Sequence, residues 1–352
     1  MLIYLHIPYC DSKCHYCAFN SYTMGKEAAS IYMKKILEQL KFDLKNFQVA
    51  KKEVKTLYIG GGTPSSISAN LYYSFFKYIT PYLSKNAEIT IEANPNSATK
   101  EWLKEIKEFG VNRISFGVQS FNRYKLKILG RAHSKSEAIE AIYNAQKVGF
   151  KNISIDLIYG VRIDSKKLIE NDLNIAINLP INHISTYDLI IERGTLFQKF
   201  PSIKKENLYL EKFLNNFLKE HNFFQYEVSN YGKKVSKHNL GYWCHKNYIG
   251  LGAGAVGFFK DQRYYPNPNI ANYIKNPTSY KIEKLGPKDI LYEKILLGLR
   301  SICGIRDYQS LPLNMQKRIE LLIEEKRLTK RGNRIFTKEF FLADELALFI
   351  IG

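Results

Sequence analysis

Five cysteines in 352 residues are too few for a disulfide scaffold, and their odd number leaves one without a partner. Cysteine usage of this kind points to a reducing compartment. No apolar run approaches the roughly 18 residues that a membrane helix needs. The opening MLIYLHIPYC also lacks the basic stretch and apolar run of a secretory leader. The chain is therefore expected to be cytoplasmic and to lack a membrane span, with peripheral membrane contact left open. Acidic residues are scarce as well: 33 Asp and Glu stand against 52 Lys and Arg, a net charge of +19. That balance favours an acidic partner such as nucleic acid or a polycarboxylate ligand. The lysines are scattered among Asn, Ile and Tyr in nearly every segment, so the charge reads as biased composition and not as a nucleic-acid footprint. With 21 Gly, 11 Pro and 45% hydrophobic residues, a disordered or collagen-like chain is excluded. What remains is a globular protein of one large domain or two, at about 150 residues per domain.

Short apolar runs alternate with longer amphipathic ones through the first two thirds. Residues 2–7, 54–59, 88–92, 112–116, 152–158 and 183–190 are rich in Ile, Val, Tyr or Phe and read as strands. Helical patterns lie between them. In the first, Tyr32, Ile36, Leu37, Leu40, Leu44 and Phe47 form one apolar stripe. Strands each followed by a helix predict an α/β fold with a parallel sheet, doubly wound or curled into a barrel. The chemistry-bearing residues cluster just after strand ends, on the rim where such folds bind ligands. This rhythm stops near residues 200–222. Residues 224–280 are dense in Gly, Asn and aromatics and predict short strands and turns. Residues 288–300 and 314–325 read as helices, and LTKRGNRIFTKEF reads as a hairpin turning at Gly332 and Asn333, so the end is expected to be winged-helix-like.

Cys10, Cys14 and Cys17 form C-x3-C-x2-C directly after the first strand. Thiolates converging from one short loop can hold a soft metal and leave a coordination position open for chemistry, as in an iron–sulfur cluster. The alternative is a structural zinc loop, with His15 or a distant His as fourth ligand. Cys244 and Cys303 do not supply the second close pair that zinc motifs usually use. Gly60-Gly61-Gly62-Thr63-Pro64 follows the second strand, where glycines let backbone N–H groups approach a ligand and Thr63 adds a hydroxyl. A tight strand-to-helix turn would use the same residues. Glu92 and Asp156 end strands on this rim, where carboxylates suit ammonium or ribose hydroxyl groups, or cap helices and form surface salt bridges.

The run YLHIPYCDSKCHYCAF, followed in order by GGGTPS, EANP, GVNRISFGVQSF, LGRAHS and IDLIYG, resembles the radical S-adenosylmethionine (SAM) enzymes. Matches in HISTYDL, IERGTLF, QYEVSNYG, HNLGYW and GLGAGAVGF extend the likeness over most of the chain. They point to the group that contains oxygen-independent coproporphyrinogen III oxidases and HemW haem chaperones. The resemblance implies an α/β fold: a partial (β/α)6 radical SAM barrel over 1–215, a barrel-flanking β/loop segment over 216–285 and a winged-helix-like α+β element over 286–352. It implies a 4Fe-4S cluster on Cys10, Cys14 and Cys17 whose fourth iron takes the amino and carboxylate groups of SAM. A reduced cluster of this kind cleaves the sulfonium bond and releases a deoxyadenosyl radical. By motif, Tyr4 and Tyr16 flank the cluster, and Gly61, Gly62 and Thr63 meet the methionine end. Glu92, Gln119, Arg131 and Asp156 lie where the family binds SAM.

Coproporphyrinogen oxidases of this type carry an extra cysteine two positions after the third cluster cysteine, together with a substantial N-terminal extension. Here Phe19 stands at that position and nine residues precede Cys10, which favours the HemW side. Arg162, in place of the usual proline after IYG, and Arg193, within IERGTLF, sit in loops and leave this assignment unchanged. His238 to Trp243 resembles the HNxxYW motif associated with haem in HemW proteins. Imidazole can ligate haem iron, and Tyr242 and Trp243 can pack on a porphyrin; a core aromatic cluster would look alike. Cys244 and His245 are alternative ligands, and His6 in the HIP segment is expected to be structural. The expected function is to bind haem and deliver it to client haemoproteins, with a haem or electron donor protein as a further partner. One rival is coproporphyrinogen III dehydrogenase, which would convert propionate side chains into vinyl groups with loss of CO2. Another is an RNA-modifying radical enzyme that uses the basic residues Lys326, Arg327, Lys330, Arg331, Arg334 and Lys338.

Overall fold

The computed structural model describes residues 1–23, 26–206 and 208–352. Strands β1 (Leu2–Ile7), β2 (Val54–Gly61), β3 (Leu83–Ala93), β4 (Arg113–Gln119), β5 (Ile153–Tyr159) and β6 (His183–Asp188) lie side by side in chain order. All five pairings are parallel. The crossovers carry α1 (Lys26–Asn46), α2 (Tyr73–Ile79), α3 (Lys100–Glu108), the pair α4 (Arg123–Leu129) and α5 (Lys135–Val148), and α6 (Lys166–Ile177). A doubly wound sheet reverses its strand order at a switch point. This one does not, and it follows the barrel alternative. Strand β3 starts at Leu83, earlier than its apolar pattern, because Lys85 and Asn86 are exposed and hide the alternation.

Alternation along each strand divides the side chains between two faces. Ile3, Leu5, Ile7, Leu57, Ile59, Ile91, Ile114, Phe116, Ile155 and Ile184 join the core formed with the helices. That core includes Tyr32, Ile36, Leu40 and Leu44, the buried stripe of α1. The opposite face carries Tyr4, Thr56, Tyr58, Thr90, Glu92, Arg113, Ser115, Ser154, Asp156 and His183, an inner lining that is polar throughout. The sheet curls around it. The Tyr58 hydroxyl on β2 is raised in pKa first by burial, but also by Glu92 and by Asp156 on β5. Across a flat sheet that last pair would stand roughly 14 Å apart.

Further strands extend both edges. After α7 (Leu208–Glu220) come β7 (Phe224–Gln225) and β8 (Asn230–Gly232); β8 pairs antiparallel with β6, and β7 pairs antiparallel with β8 at the outer edge. At the other edge β9 (Tyr248–Leu251) runs parallel to β1, followed outward by β10 (Gly257–Phe259), β11 (Gln262–Pro266) and β12 (Tyr280–Lys284). The expected strands and turns of residues 224–280 are present, but the region also holds two helices, α8 (Lys237–Trp243) and α9 (Ile270–Lys275). Gly241 lets α8 approach the sheet, because a Cβ there would overlap Leu2.

The C-terminal part has its own core, including Ile295, Leu299, Met315, Ile319, Leu322, Ile335 and Leu346. It consists of α10 (Pro287–Leu299), β13 (Ile305–Arg306), α11 (Leu313–Glu324), the hairpin β14 (Leu328–Arg331) and β15 (Arg334–Thr337), and α12 (Ala343–Ile351). The hairpin turns where expected, with Gly332 at φ 58°. Among the described residues no helix is long and apolar enough to cross a membrane.

Cys244, considered from sequence as an alternative haem ligand, is not a free thiol. Cys244 at the end of α8 and Cys303 after α10 form a disulfide across 59 residues of sequence, with Cα atoms 5.5 Å apart. Only the fold brings the two segments together, so sequence spacing gave no sign of the pair.

Beyond the C-terminal ends of β4 and β5, the Lys125 ammonium of α4 meets Asp164 at 2.7 Å, with side-chain exposures of 0% and 1%. Asp164 also accepts from the Val161 N–H at 3.0 Å. Removing one partner strands a charge away from water. Asp164→Ala should cost about 3–5 kcal/mol in urea unfolding. Lys125→Met combined with Asp164→Asn should recover most of that loss, since the amide still accepts from Val161. A single-variant loss under about 1 kcal/mol would mean that solvent screens the pair.

Candidate functional site

The loop after β1 is held from three sides. Cys10 N–H donates to Tyr22 O at 3.1 Å, and Tyr22 N–H donates to Pro8 O at 2.7 Å, which closes the loop on itself. Gly62 and Thr63 N–H groups donate to Ile7 O and Tyr9 O at 2.8 and 2.7 Å, tying the glycine turn to the loop base. On the far side, His15 Nδ1 bonds to Ile128 O at 2.8 Å and His15 N–H to Leu129 O at 3.1 Å, both at the end of α4. The His15 ring lies on Gly130, where a Cβ would stand 2.7 Å from its Cδ2. This gives His15 a tethering role in place of the zinc-ligand role considered from sequence.

Each of the three thiols has a donor, the Phe19 backbone N–H serving Cys17. Thr63 Oγ1 donates to Cys10 Sγ at 3.4 Å, and Arg131 Nη1 to Cys14 Sγ at 3.2 Å. A Cβ on Gly62 would sit 3.0 Å from Cys10 Sγ and 2.7 Å from Tyr9 O, so only glycine leaves room there. Burial raises the pKa of Cys10 and Cys17, and the neighbouring thiols add to it. Among the described residues no three His, Cys, Asp or Glu side chains stand close enough to hold a metal ion together. The donor chemistry nevertheless fits an iron–sulfur cluster: soft sulfurs on one loop, with a hydroxyl and a guanidinium oriented to stabilise thiolate.

The rim beside this loop brings the other expected residues together. Arg131 Nη2 also donates to Asn94 Oδ1 and Gly117 O, each at 2.6 Å, and Asn94 Nδ2 donates to Thr63 Oγ1 at 3.2 Å. Asn94 was not singled out from sequence, although the EANP motif contains it. Tyr16 interacts electrostatically with Arg131, Cys14 and Cys17, while burial raises its pKa. Gln119 ends β4 at φ 63°, and its Nε2 would stand 3.0 Å from a Cβ on Gly117. Glu92 accepts from Tyr58 OH at 2.6 Å and from Gly61 N–H at 3.1 Å. Burial pushes its carboxyl up to about 7, with Asp156 adding and Tyr58, Gly61 and Arg113 opposing. Burial likewise raises Asp156, against Ser185, Arg113 and Ser115. Gly61 has φ 115°, and a Cβ on it would overlap the His6 ring. His6 is fixed by Tyr4 OH at 2.9 Å and by Asn20 O at 2.8 Å, the structural role expected of it.

The HNLGYW segment behaves differently from its reading as an iron-ligand motif. His238 is 1% exposed. Its Nδ1 pairs with Thr56 Oγ1 at 2.7 Å and its Nε2 with Tyr242 OH at 2.8 Å, and the ring stacks on Tyr58. Burial, then Arg113, pushes its pKa down to about 3, so the ring is neutral. A ligand to iron needs a free ring nitrogen, and here both are engaged. The Cys244 sulfur is likewise taken by the disulfide. Trp243 lies under Arg300, 6.0 Å from the guanidinium. Tyr242, by contrast, lines a cavity of about 700 Å³ that reaches from Tyr4, Gly61 and Glu92 on the rim to His245 and α10.

A Radical SAM superfamily model matches residues 4–175. The heme chaperone HemW of Lactococcus lactis subsp. lactis is 34% identical over 317 residues, which span 86% of this chain and 82% of that protein. Its counterpart in Bacillus subtilis is 32% identical over 321 residues, with 86% and 84% covered. That of Escherichia coli is 38% identical over 263 residues, with 72% and 69% covered. Among solved structures, coproporphyrinogen III oxidase (HemN) from Escherichia coli superposes with a TM-score of 0.83 over 99% of this chain and 89% of its own, at 17% identity, a likeness of fold. The radical SAM match, the rim built from the expected motifs and the identity to these chaperones over most of the chain agree: the chain belongs to the HemW family of the radical SAM superfamily.

Proposed function

We propose that this chain holds a 4Fe-4S cluster on Cys10, Cys14 and Cys17, binds SAM along the rim from Gly61 to Asp156, and carries haem to client haemoproteins in the cytoplasm. The observation that carries this reading is the cavity of about 700 Å³, which borders Tyr4, Gly61 and Glu92 on one side and aromatic and aliphatic side chains on the other. Pockets of roughly 300–1,000 Å³ with apolar walls and a few polar groups are usual for small-molecule ligands. The cluster, when bound, supplies an open iron for the amino and carboxylate groups of SAM. The chain's own residues do the positioning. Arg131 bridges Cys14 to the β4 end, Thr63 donates to Cys10, and the Glu92 and Asp156 carboxylates offer acceptors to SAM hydroxyl or amino groups. Phe19, 67% exposed, lines the cavity at the position where the decarboxylating relatives place a cysteine, so this chain offers no thiol there. The functional division we infer is 1–215 for cluster and SAM and 216–285 with α10 for the haem side, with the remainder of 286–352 as the winged-helix-like element.

Cys14→Ser should lose most iron and acid-labile sulfide after anaerobic reconstitution, because oxygen is a poor substitute for a soft thiolate. Gly62→Ala should do so partly, since its Cβ would press on Cys10 Sγ and Tyr9 O. Full iron content in both variants would move the cluster elsewhere.

SAM affinity, measured by equilibrium dialysis, should rise as pH increases through about 7, where the Glu92 carboxyl ionises. Below that pH the neutral acid is a weak acceptor for a charged donor; above it the carboxylate is a strong one. Glu92→Gln should flatten the profile and cost about 1.5–3 kcal/mol at high pH. An unchanged profile would remove Glu92 from the site.

The whole reading is tested by giving the reconstituted protein haem, and separately coproporphyrinogen with SAM and reductant, under anaerobic conditions. Stoichiometric haem binding, passage of that haem to an apo-haemoprotein and no protoporphyrinogen are expected. Formation of protoporphyrinogen would replace the carrier with a decarboxylating enzyme.

A further inference from the structure

The cysteine loop has an outer flank as well as an inner one. Arg131, which donates to Cys14 Sγ at 3.2 Å, also lines a second, open cavity of about 680 Å³ between α4 and α5. This cavity shares no lining residue with the one of about 700 Å³ that reaches His245. Leu126 of α4 and Ile139 of α5 give it an apolar floor, and Arg123, Lys127 and Lys135 stand around it, all three exposed. Lys13, exposed on the cysteine loop itself, is a fourth cation, close enough to Cys17 to act on its thiol electrostatically. His15 binds the loop to the end of α4 through Ile128 O and Leu129 O, so the loop and these helices form one surface.

None of the four cations has a carboxylate partner among the described residues. Of the acids close by, Glu137 is turned back onto the Ser134 N–H at 2.6 Å, and Asp11 is the one acid of the cysteine loop. The basic hairpin at the other end of the chain differs. There Arg327 is held by Glu345, and Lys330 and Arg331 lie over the Tyr308 and Phe336 rings. Unpaired cations around an apolar floor steer and orient an acidic surface. Tyr124, 75% exposed beside Arg123 on α4, adds an aromatic of the kind that anchors protein contacts. RNA phosphates would answer to the same charge, but these cations stand one guanidinium away from Cys14, where an electron from outside the chain has to arrive.

Resting on the cluster reading above, we propose that this flank is the docking surface for an acidic protein that carries single electrons. The carrier loses one electron there and the cluster gains it, with no bond made or broken. Because the two cavities share no wall, the carrier and haem can be bound at once.

Calorimetric binding of flavodoxin and of an acidic ferredoxin to the anaerobically reconstituted full-length chain tests the assignment. One of them should bind, with an affinity that falls between about 50 and about 300 mM salt. Arg123→Glu, Lys127→Glu and Lys135→Glu combined should weaken that binding roughly tenfold or more. The same variant should take electrons more slowly from the reduced carrier, yet keep its iron content and its rate of reduction by methyl viologen, a small cationic donor that needs no acidic docking face. Tyr124→Ala should weaken carrier binding roughly fivefold, whereas Lys330→Glu with Arg334→Glu on the hairpin should leave it unchanged. The inference is overturned if neither carrier binds the wild-type chain, if the triple variant binds as tightly as wild type, or if the hairpin variant is the one that loses binding. A triple variant that loses affinity for an RNA oligonucleotide but not for the carrier would assign the surface to nucleic acid instead. A wild-type chain that assembles no cluster would defeat the cluster reading itself.

Discussion

A sheet that sends its apolar side chains outward to the helices must satisfy a polar interior, and most of the site follows from how this is done. Two carboxylates, Glu92 and Asp156, face the same enclosed space as the Arg113 guanidinium, and each is raised by burial and lowered by Arg113. Enclosure alone would keep both acids neutral; one buried cation and well-placed hydroxyls oppose that tendency. The arrangement leaves Glu92, pushed up to about 7, near the balance between its charged and neutral forms, where a ligand that brings hydrogen-bond donors can decide which form prevails.

The opposite end of the same interior is closed by protein. Glu88 accepts from the Lys237 and His238 N–H groups, both at 3.1 Å, and so seats the first turn of α8 under the sheet. Thr56 takes His238, and Ser154 takes His183, which passes the contact on to Tyr226 OH at 2.7 Å. Both histidines therefore serve the N-terminal ends of strands, whereas the cysteine loop and the glycine turn lie at the C-terminal ends. In parallel barrels the former location is one of stability and the latter one of chemistry.

Much of this was legible in the sequence, for definite reasons. The six strands with their alternating helices, the α1 stripe and the C-terminal hairpin depend on local periodicity and turn residues, and periodicity survives in one dimension, whereas the choice between a doubly wound sheet and a barrel does not. The cysteine spacing and the residues after strand ends were readable because each motif is short. What was hidden depended on distance along the chain. Thr56 and His238 are 182 residues apart and Cys244 and Cys303 are 59 apart, so nothing local marked His238 as buried or the two sulfurs as neighbours. The helix over HNLGYW was also obscured, since its glycine and aromatics resemble a turn until Gly241 is seen against Leu2.

Glu92 belongs to two surroundings at once. It receives the Gly61 N–H of the glycine turn, and it also forms part of the wall of the cavity that ends at His245. Two ligands that meet one carboxylate from different sides cannot have independent affinities. Whatever factor the first imposes on the second is returned in equal measure, because the coupling is a property of the shared state and not of either ligand. On the proposed reading, a carrier built this way needs no moving domain to sense its cofactor: loading on one side of Glu92 changes how firmly cargo is held on the other.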